Sequence, residues 1–335
     1  MRKRIPKIIV TGGAGFIGSA FVRLLLRGLS PKGSVPSIIV IDKLTYAGDL
    51  KRLEEEKGKF KFYKTDICNK KQLEAIFAKE KPDIVVHFAA ESHVDRSIND
   101  ATSFIETNIK GTQVIMDLSR KFGIDKFIFI STDEVYGEIA SGKFNENSPI
   151  RPNSPYAASK AAADLLVQSY IRTYKIPALI IRPSNNYGPW QYPEKLVSLA
   201  ILRIIEGKNV PVYGRGQNVR EWLYVDDCAR GILAVMNKGK IGQVYNLGST
   251  CESRNIDTVK LLLKTLGVSL NRLEFVNDRL GHDLRYSLDS KKLNRKIGWK
   301  PTIKLTEGLK LTVEWSLKHQ AWLKSKLKDI NKLYK

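Results

Sequence analysis

The sequence predicts a doubly wound α/β fold, a parallel sheet covered by helices on both faces, followed by a smaller half that partly interleaves with it. Three observations predict it. Short, continuously apolar, β-branched runs recur through the first half, segments of helical periodicity separate them, and a glycine cluster sits at the first strand-to-helix turn. Continuous apolarity matters because a strand buried on both faces has no solvent side on which to place polar residues.

Lys7 opens K-I-I-V-T-G, a strand that breaks at Gly12, and Phe16–Arg27 follows with the apolar spacing of a helix. Further strands are expected over Ile38–Ile41, Phe60–Tyr63, Ile84–Ala90, Phe127–Ile130 and Leu179–Ile181, with helices over Lys71–Lys79, Ala101–Phe122 and Ala157–Tyr174. From Pro183 the rhythm loosens. Turn clusters are expected at Asn185–Pro189 and Gly214–Asn218, and helical patches over Glu194–Glu206 and Asp257–Leu266. No linker rich in Pro, Gly or Ser separates 1–182 from 183–335, so these two halves are expected to share an interface and interleave. Finally, Leu309–Tyr334 carries Trp315, Trp322, Leu323, Leu327 and Ile330 at helical spacing with lysines between, the pattern of a surface helix packed on the body.

At 335 residues, 43% hydrophobic and 27% charged, the chain is long enough for a sizeable core and has a globular composition. No apolar run approaches the roughly 18 residues of a membrane-spanning helix. Ile8–Val10, behind Arg2, Lys3 and Arg4, is too short for the apolar region of a signal peptide. A cytoplasmic protein without membrane contact is expected. Cys68, Cys228 and Cys251 lack C-x-x-C spacing and His87, His93, His282 and His319 are scattered, so neither a disulfide scaffold nor a metal site is expected. The balance of 56 basic against 34 acidic residues, +22, would attract polyanions. The lysines are spread along the chain and not interleaved with stacking aromatics, so no specific nucleic-acid partner is expected.

Within T-G-G-A-G-F-I-G, Gly13, Gly15 and Gly18 satisfy G-x-G-x-x-G, and Gly12, Gly15 and Gly18 the related three-spaced pattern. Absent side chains let the backbone turn tightly and approach a pyrophosphate, whose charge rests on the helix N-terminus. Asp42 ends the second strand 24 residues after Gly18, where its carboxylate would accept hydrogen bonds from a ribose diol. That carboxylate disfavours a 2′-phosphate, so NAD is preferred over NADP, with adjacent Lys43 acting against the preference. Asp66 and Ile67 are placed to meet an adenine, unless Asp66 caps the helix that begins near Asn69. Ala89 and Ala90 end the fourth strand where a dinucleotide would pass; beyond them His93, Asp95 and Arg96 either face the crevice or pair as loop ions.

Tyr156 and Lys160 stand four residues apart on an expected helix, one above the other. The ammonium can then lower the phenol's pKa and reach a cofactor ribose, making the tyrosine a base toward an alcohol. Ser131 and Thr132 close a strand 24 residues before Tyr156, and Asp133 and Glu134 follow directly. A carboxylic acid beside a carboxylate adds a second proton-transfer pair, which the elimination of water next to a carbonyl requires. Redox plus elimination is the chemistry these residues indicate.

Taken together the motifs resemble the extended short-chain dehydrogenase/reductase superfamily, with its Rossmann sheet, and within it the nucleoside-diphosphate-sugar 4,6-dehydratases. The resemblance spans nearly the whole chain. It rests on T-G-G-A-G-F-I-G, D-K-L-T-Y-A-G from Asp42, H-F-A-A-E-S-H-V-D-R-S from His87, S-T-D-E-V-Y-G from Ser131 and S-P-Y-A-A-S-K from Ser154. It continues through S-N-N-Y-G-P from Ser184, P-E-K-L from Pro193, R-E-W-L-Y-V-D-D from Arg220 and D-R-L-G-H-D from Asp278.

The resemblance implies tightly bound NAD, regenerated in each cycle and held by Gly12, Gly15, Phe16, Ile17, Gly18, Asp42, Lys43, Thr45, Asp66, Ile67, Ala89, Ala90, Ser131, Tyr156, Lys160 and Asn185. It implies that Tyr156 takes the hydroxyl proton at sugar carbon 4, with Thr132 on the same oxygen and Lys160 tuning the phenol. Glu134 then takes the carbon 5 proton and Asp133 protonates the hydroxyl leaving carbon 6. Besides Thr132, Asp133 and Glu134, implied substrate contacts are Ser92, His93, Asn185, Lys195, Leu196, Pro211, Tyr213, Arg220, Asn255, Arg279 and His282. The two arginines would hold the pyrophosphate, unless they are surface ion pairs. A homodimer through the long helices, including the one bearing Tyr156, is also implied. Leu280, Arg215 and Thr65 stand where the family usually has proline, aspartate and glycine, which leaves the base of the nucleotide open. A UDP-sugar 4-epimerase or decarboxylase would share the cofactor site and the Tyr-Lys pair, but epimerases lack the adjacent acid pair. A non-catalytic NAD-sensing regulator would have no use for a poised acid and base.

Overall fold

A computed structural model describes residues 5–28 and 35–333. Arg2, Lys3, Arg4 and Tyr334 lie outside them. The strands are β1 Lys7–Thr11, β2 Ser37–Asp42, β3 Phe60–Lys64, β4 Ile84–His87, β5 Lys126–Ile130, β6 Ala178–Pro183, β7 Asn185–Tyr187, β8 Val210–Tyr213, β9 Val219–Tyr224, β10 Val244–Leu247, β11 Glu252–Arg254 and β12 Leu273–Val276. Seven of them form one sheet in the order β10-β6-β5-β4-β1-β2-β3. Every neighbouring pair in it is parallel. The chain walks from β1 to β3 in one direction and from β4 onward in the other, so a crevice opens above the C-terminal ends of β1 and β4, where such sheets bind ligands.

Side chains alternate across each strand and feed two cores. Val10, Val40 and Ile128 pack with Phe21, Leu25 and Ile232 on one face. Ile9, Ile39 and Phe129 pack with Phe77, Ile115 and Val167 on the other. A third core lies in the second half, around Tyr187, Leu202, Val259 and Leu309, and Tyr46 and Ala47 of the first half pack against it. Exchange also runs the other way, because β10, well past residue 182, is the strand that completes the large sheet beside β6. Two small sheets, β11-β9-β7 and β12-β8, finish the second half. No helix among the described residues is long and apolar enough to cross a membrane.

Four local expectations are corrected. The run Ile84–Ala90 leaves the sheet after His87, since the Phe88 N–H still bonds to the Thr11 carbonyl at 3.0 Å but the backbone must then step over Gly12. The expected turn at Asn185–Pro189 begins as β7, paired in parallel with β9, Asn185 opposite Trp222. Ala101–Phe122 is helical but passes through a π-helical stretch, Ile105–Gly111, before an α-helix over Thr112–Lys121. There Gly111 lies so close to Ile67 that an added Cβ would sit 2.4 Å from its Cδ1. The final helix is three pieces, Leu305–Lys318, Gln320–Ser325 and Leu327–Leu333. His319 interrupts it by donating from Nδ1 to the Trp315 carbonyl at 2.7 Å and stacking on the Trp315 ring with centroids 4.3 Å apart.

Candidate active site

A cleft of about 1220 Å³ runs from the glycine turn, past the ends of β4, β5 and β6, to β8, β9 and β12 of the second half. At the first end Gly12 adopts φ 67°, and a Cβ there would meet the Ala89 nitrogen at 2.5 Å. At Gly18 a Cβ would lie 2.2 Å from the Gly12 carbonyl oxygen, so helix Phe16–Leu26 approaches the turn only because Gly18 lacks a side chain. Gly15 is its N-cap and no side chain caps it, which leaves the first-turn N–H groups for an anion such as a pyrophosphate.

Asp42 accepts hydrogen bonds from the Ala14 N–H at 3.0 Å and the Leu44 N–H at 2.8 Å. Burial raises its pKa, and these two N–H groups oppose the rise. Of the residues expected around NAD, Gly12, Gly15, Phe16, Ile17, Gly18, Ala90, Ser131, Tyr156, Lys160 and Asn185 line the cleft, whereas Asp42, Lys43, Thr45, Asp66, Ile67 and Ala89 lie outside its wall. Lys43 and Asp66 pair with each other at 2.6 Å. Asp66 does not cap the next helix; it accepts from the Cys68 N–H at 2.9 Å, and Asn69 is the cap, accepting from the Gln72 N–H at 3.1 Å.

The reacting end is built by two short caps. Ser154 accepts from the Ala157 N–H at 3.1 Å and Pro155 begins the helix Pro155–Tyr174, which places Tyr156 in the first turn and Lys160 one turn later. Thr132 caps the 3₁₀ turn Asp133–Tyr136, accepting from the Glu134 N–H at 3.3 Å, and holds both carboxyl groups beside the phenol. Tyr156 is buried, its N–H bonded to Ser97 Oγ at 3.1 Å and its ring edge-on to Phe104. Burial pushes its pKa up and the Glu134 charge pushes it further, while the Thr132 hydroxyl pulls it back. Lys160 Nζ donates to the Ile130 carbonyl at 2.7 Å, and burial lowers its own pKa to about 8 against the attraction of Asp164.

Burial acts on both carboxyl groups, with different charges around each. Asp133 is buried, and burial, Glu134 and Glu221 together push its pKa well above the ordinary value. Burial also raises Glu134, but Arg279, Lys195 and Arg220 oppose the rise. More cations oppose the rise at Glu134 than at Asp133, an asymmetry that suits one group to giving a proton and its neighbour to taking one.

Every residue expected to contact the sugar nucleotide lines the cleft. Arg220 is no surface ion pair: it is 4% exposed, donates to the Asp283 and Val219 carbonyls at 2.8 Å each, and lies 4.3 Å over the Tyr286 ring. Arg279 does pair, with Asp95 at 3.4 Å, and Tyr213 donates to the same carboxylate at 3.1 Å. His93 caps helix Val94–Asn99 by accepting from the Arg96 N–H at 3.3 Å, and Arg96 lies 3.6 Å from Glu194, so both proposed alternatives for this loop coexist. Burial and the cations Lys195, Arg96 and Arg279 hold His93 down at about 2. Burial and Arg279 hold His282 at about 4 against its bond to Asp278.

Asn185 Oδ1, Asn255 Oδ1, Arg279 Nε, Ser131 Oγ and Ser184 Oγ are buried without protein partners. Such atoms in a cleft suit a polar ligand. Sequence reasoning missed Trp222, Glu194, Gln191 and Tyr286, which also line it. Trp222 was findable, since it lies two residues beyond Arg220 on β9 and so on the same face. Tyr286 carried no local signal.

A family model described as GDP-mannose 4,6 dehydratase matches residues 9–312. The chain belongs to the GDP-mannose 4,6 dehydratase family. A relative in Streptomyces niveus, a dTDP-glucose 4,6-dehydratase, is 45% identical over 318 residues, covering 94% of each chain. DesIV, a dTDP-glucose 4,6-dehydratase from Streptomyces venezuelae solved with NAD bound, superposes with a TM-score of 0.93 at 44% identity, covering 96% of this chain and 99% of that one. A UDP-glucose 4-epimerase from Thermotoga maritima, solved with UDP-glucose, reaches 0.86 at 34% identity over 94% of this chain and 99% of that one. Dehydratase and epimerase thus share this backbone.

Proposed function

We propose that the chain is an NAD-dependent dTDP-glucose 4,6-dehydratase, a hydro-lyase. The observation that carries this reading is the adjacent carboxyl pair, Asp133 and Glu134, lining the cleft together with Tyr156. Bound NAD supplies the redox chemistry, oxidising carbon 4 and afterwards reducing carbon 6. Tyr156, as the phenolate that the Lys160 ammonium one turn away favours, takes the carbon 4 hydroxyl proton while Thr132 orients that oxygen. The resulting ketone acidifies carbon 5, whose proton passes to Glu134. Asp133 protonates the hydroxyl departing from carbon 6, which leaves as water, and Glu134 returns its proton to carbon 5. At the end Tyr156 carries one extra proton and Asp133 lacks one. Thr132 Oγ1, 3.2 Å from Asp133 Oδ1 and bonded also to the phenol, connects them for the reset.

The first-half residues 1–182 serve as the NAD-binding domain and 183–335 mainly as the nucleotide-sugar domain, with Arg220 and Arg279 on the diphosphate. The glycine turn, Asp42 and Lys160 fit NAD; Lys43 and Asp66 act from the rim beside the adenine. Ile105 and Leu165, each more than half exposed on the long helices, support a homodimer through that face. Free Cys68, Cys228 and Cys251 support a reducing, cytoplasmic setting.

The test is to incubate the purified protein with dTDP-glucose and, separately, UDP-glucose without added NAD, following the 4-keto-6-deoxy product. Product from dTDP-glucose alone is expected. Preference for UDP-glucose keeps the mechanism and changes the substrate, and no product from either sugar with NAD supplied refutes the dehydratase reading. Sedimentation of the protein at twice the chain mass is expected for the dimer.

A further inference from the structure

Arg52 looks unremarkable in L-K-R-L-E-E-E, yet it is among the largest fully buried side chains of the molecule. Among the described residues its guanidinium makes no ion pair with a carboxylate, although the charges of Asp49 and Asp42 act on it from farther away. Instead it joins three backbone segments: Nη1 donates to the Ala14 carbonyl at 2.8 Å and the Ala47 carbonyl at 2.5 Å, and Nε to the Trp190 carbonyl at 3.1 Å. Ala14 belongs to the glycine turn, Ala47 to the loop after β2 that carries Asp42, and Trp190 to the second half. Arg52 and Ala47 both line the cleft, and Nη2 has no protein acceptor among the described residues. Trp190 itself adopts φ 70°, an uncommon conformation for a bulky residue that persists only where surrounding structure enforces it.

The same loop is gripped at other points by the second half. Tyr46 donates to Glu194 at 3.2 Å and lies under the Arg96 guanidinium at 3.8 Å. Asp49 accepts from Trp322 Nε1 at 2.9 Å and Lys326 Nζ at 2.7 Å. Burying a guanidinium is costly, and burial lowers its pKa to about 10 against the attraction of Asp49 and Asp42. A surface loop needing only to be folded would not require it.

We propose that Arg52 is a positioning residue for cofactor retention, clasping the glycine turn, the loop after β2 and the Trp190 segment together over the dinucleotide end of the cleft. The inference rests on the NAD-dependent reading above. Release of the cofactor then requires the first-half loop and the second half to part, and the clasp opposes that movement.

The experiment measures NAD per chain after gel filtration and the rate at which bound NAD is released, in the wild type, Arg52→Lys and Arg52→Gln. Lysine keeps the charge but cannot reach three carbonyls. Both variants are expected to release NAD about tenfold to a hundredfold faster, the effect of losing one or two charge-assisted hydrogen bonds. Added NAD is expected to restore turnover with KM for dTDP-glucose unchanged. Retention and release equal to wild type would overturn the proposal, even with a lowered melting temperature, because that is what a merely structural arginine gives. If neither Arg52 variant folds, Asp49→Ala, which opens the clasp from the C-terminal side, decides: faster release supports it and unchanged release overturns it. A wild type that neither carries nor binds NAD would instead refute the cofactor reading.

Discussion

The two ends of the cleft solve opposite electrostatic problems. At the reacting end, Tyr156, Lys160, Asp133 and Glu134 come from two short stretches of the first half, and burial pushes each toward its neutral form. At the nucleotide end, Arg220 and Arg279 come from distant stretches of the second half, held by carbonyls or by Asp95. Proton transfer at neutral pH needs groups with displaced pKa values, whereas anchoring a diphosphate needs charge that does not move. Separating these demands in space lets each environment be optimised without spoiling the other.

The largest effect that would sharpen this contrast is expected for Tyr156→Phe. Turnover should fall about a thousandfold or more, the scale of a lost general base, while NAD content and affinity for dTDP persist. Loss of dTDP binding would show that the two ends are not separable. Glu134→Gln should lower turnover by roughly a hundredfold or more at a later point. Carbon 4 is still oxidised, so the absorbance of reduced nicotinamide should build up on mixing with dTDP-glucose; its failure to appear would place Glu134 in the first step. Arg220→Met should act from the other end, raising KM by about tenfold to a hundredfold with kcat much less affected, because a remote anchor contributes equally to ground and transition states.

The smallest effect concerns stability. His87 is buried between Thr11 and Thr112, with its rings of contact closed, and burial lowers its pKa to about 3. The unfolded chain takes up a proton near pH 6.5 and the folded chain does not, so this contribution is complete above about pH 6.5 and is lost as pH falls toward 3, by roughly 1.4 kcal/mol per pH unit. Denaturation midpoints measured between pH 7 and 4 should fall less steeply in His87→Gln than in the wild type. An unchanged slope would mean that the buried histidine is not neutral.

What was legible in the sequence follows the same division. Strands β1, β2, β4, β5 and β6 announced themselves because each is buried on both faces, and the catalytic residues did because S-T-D-E and Y-A-A-S-K are compact local motifs; β3, half-exposed at the sheet edge, showed through Phe60 and Phe62. The second half was not legible in detail. β7, β9 and β11 gain their structure from pairing across tens of residues, which no local period records. The break at His319 depends on a ring stacking within one cluster of tryptophans. The Ile130 carbonyl that Lys160 bonds belongs to a neighbouring strand and leaves no local mark. Arg52 was invisible because burial of a charged residue inside a charged run has no sequence signature.

The seventh strand has a consequence for how the protein is made. Until Val244–Leu247 has been synthesised, the outer edge of β6 presents a row of unpaired N–H and C=O groups. The catalytic residues are all complete long before that point, yet the sheet that carries them remains open to pairing with another chain. Nascent chains stalled between β6 and β10 are therefore the stage most exposed to aggregation, and a fragment ending at residue 182 would inherit that exposed edge permanently.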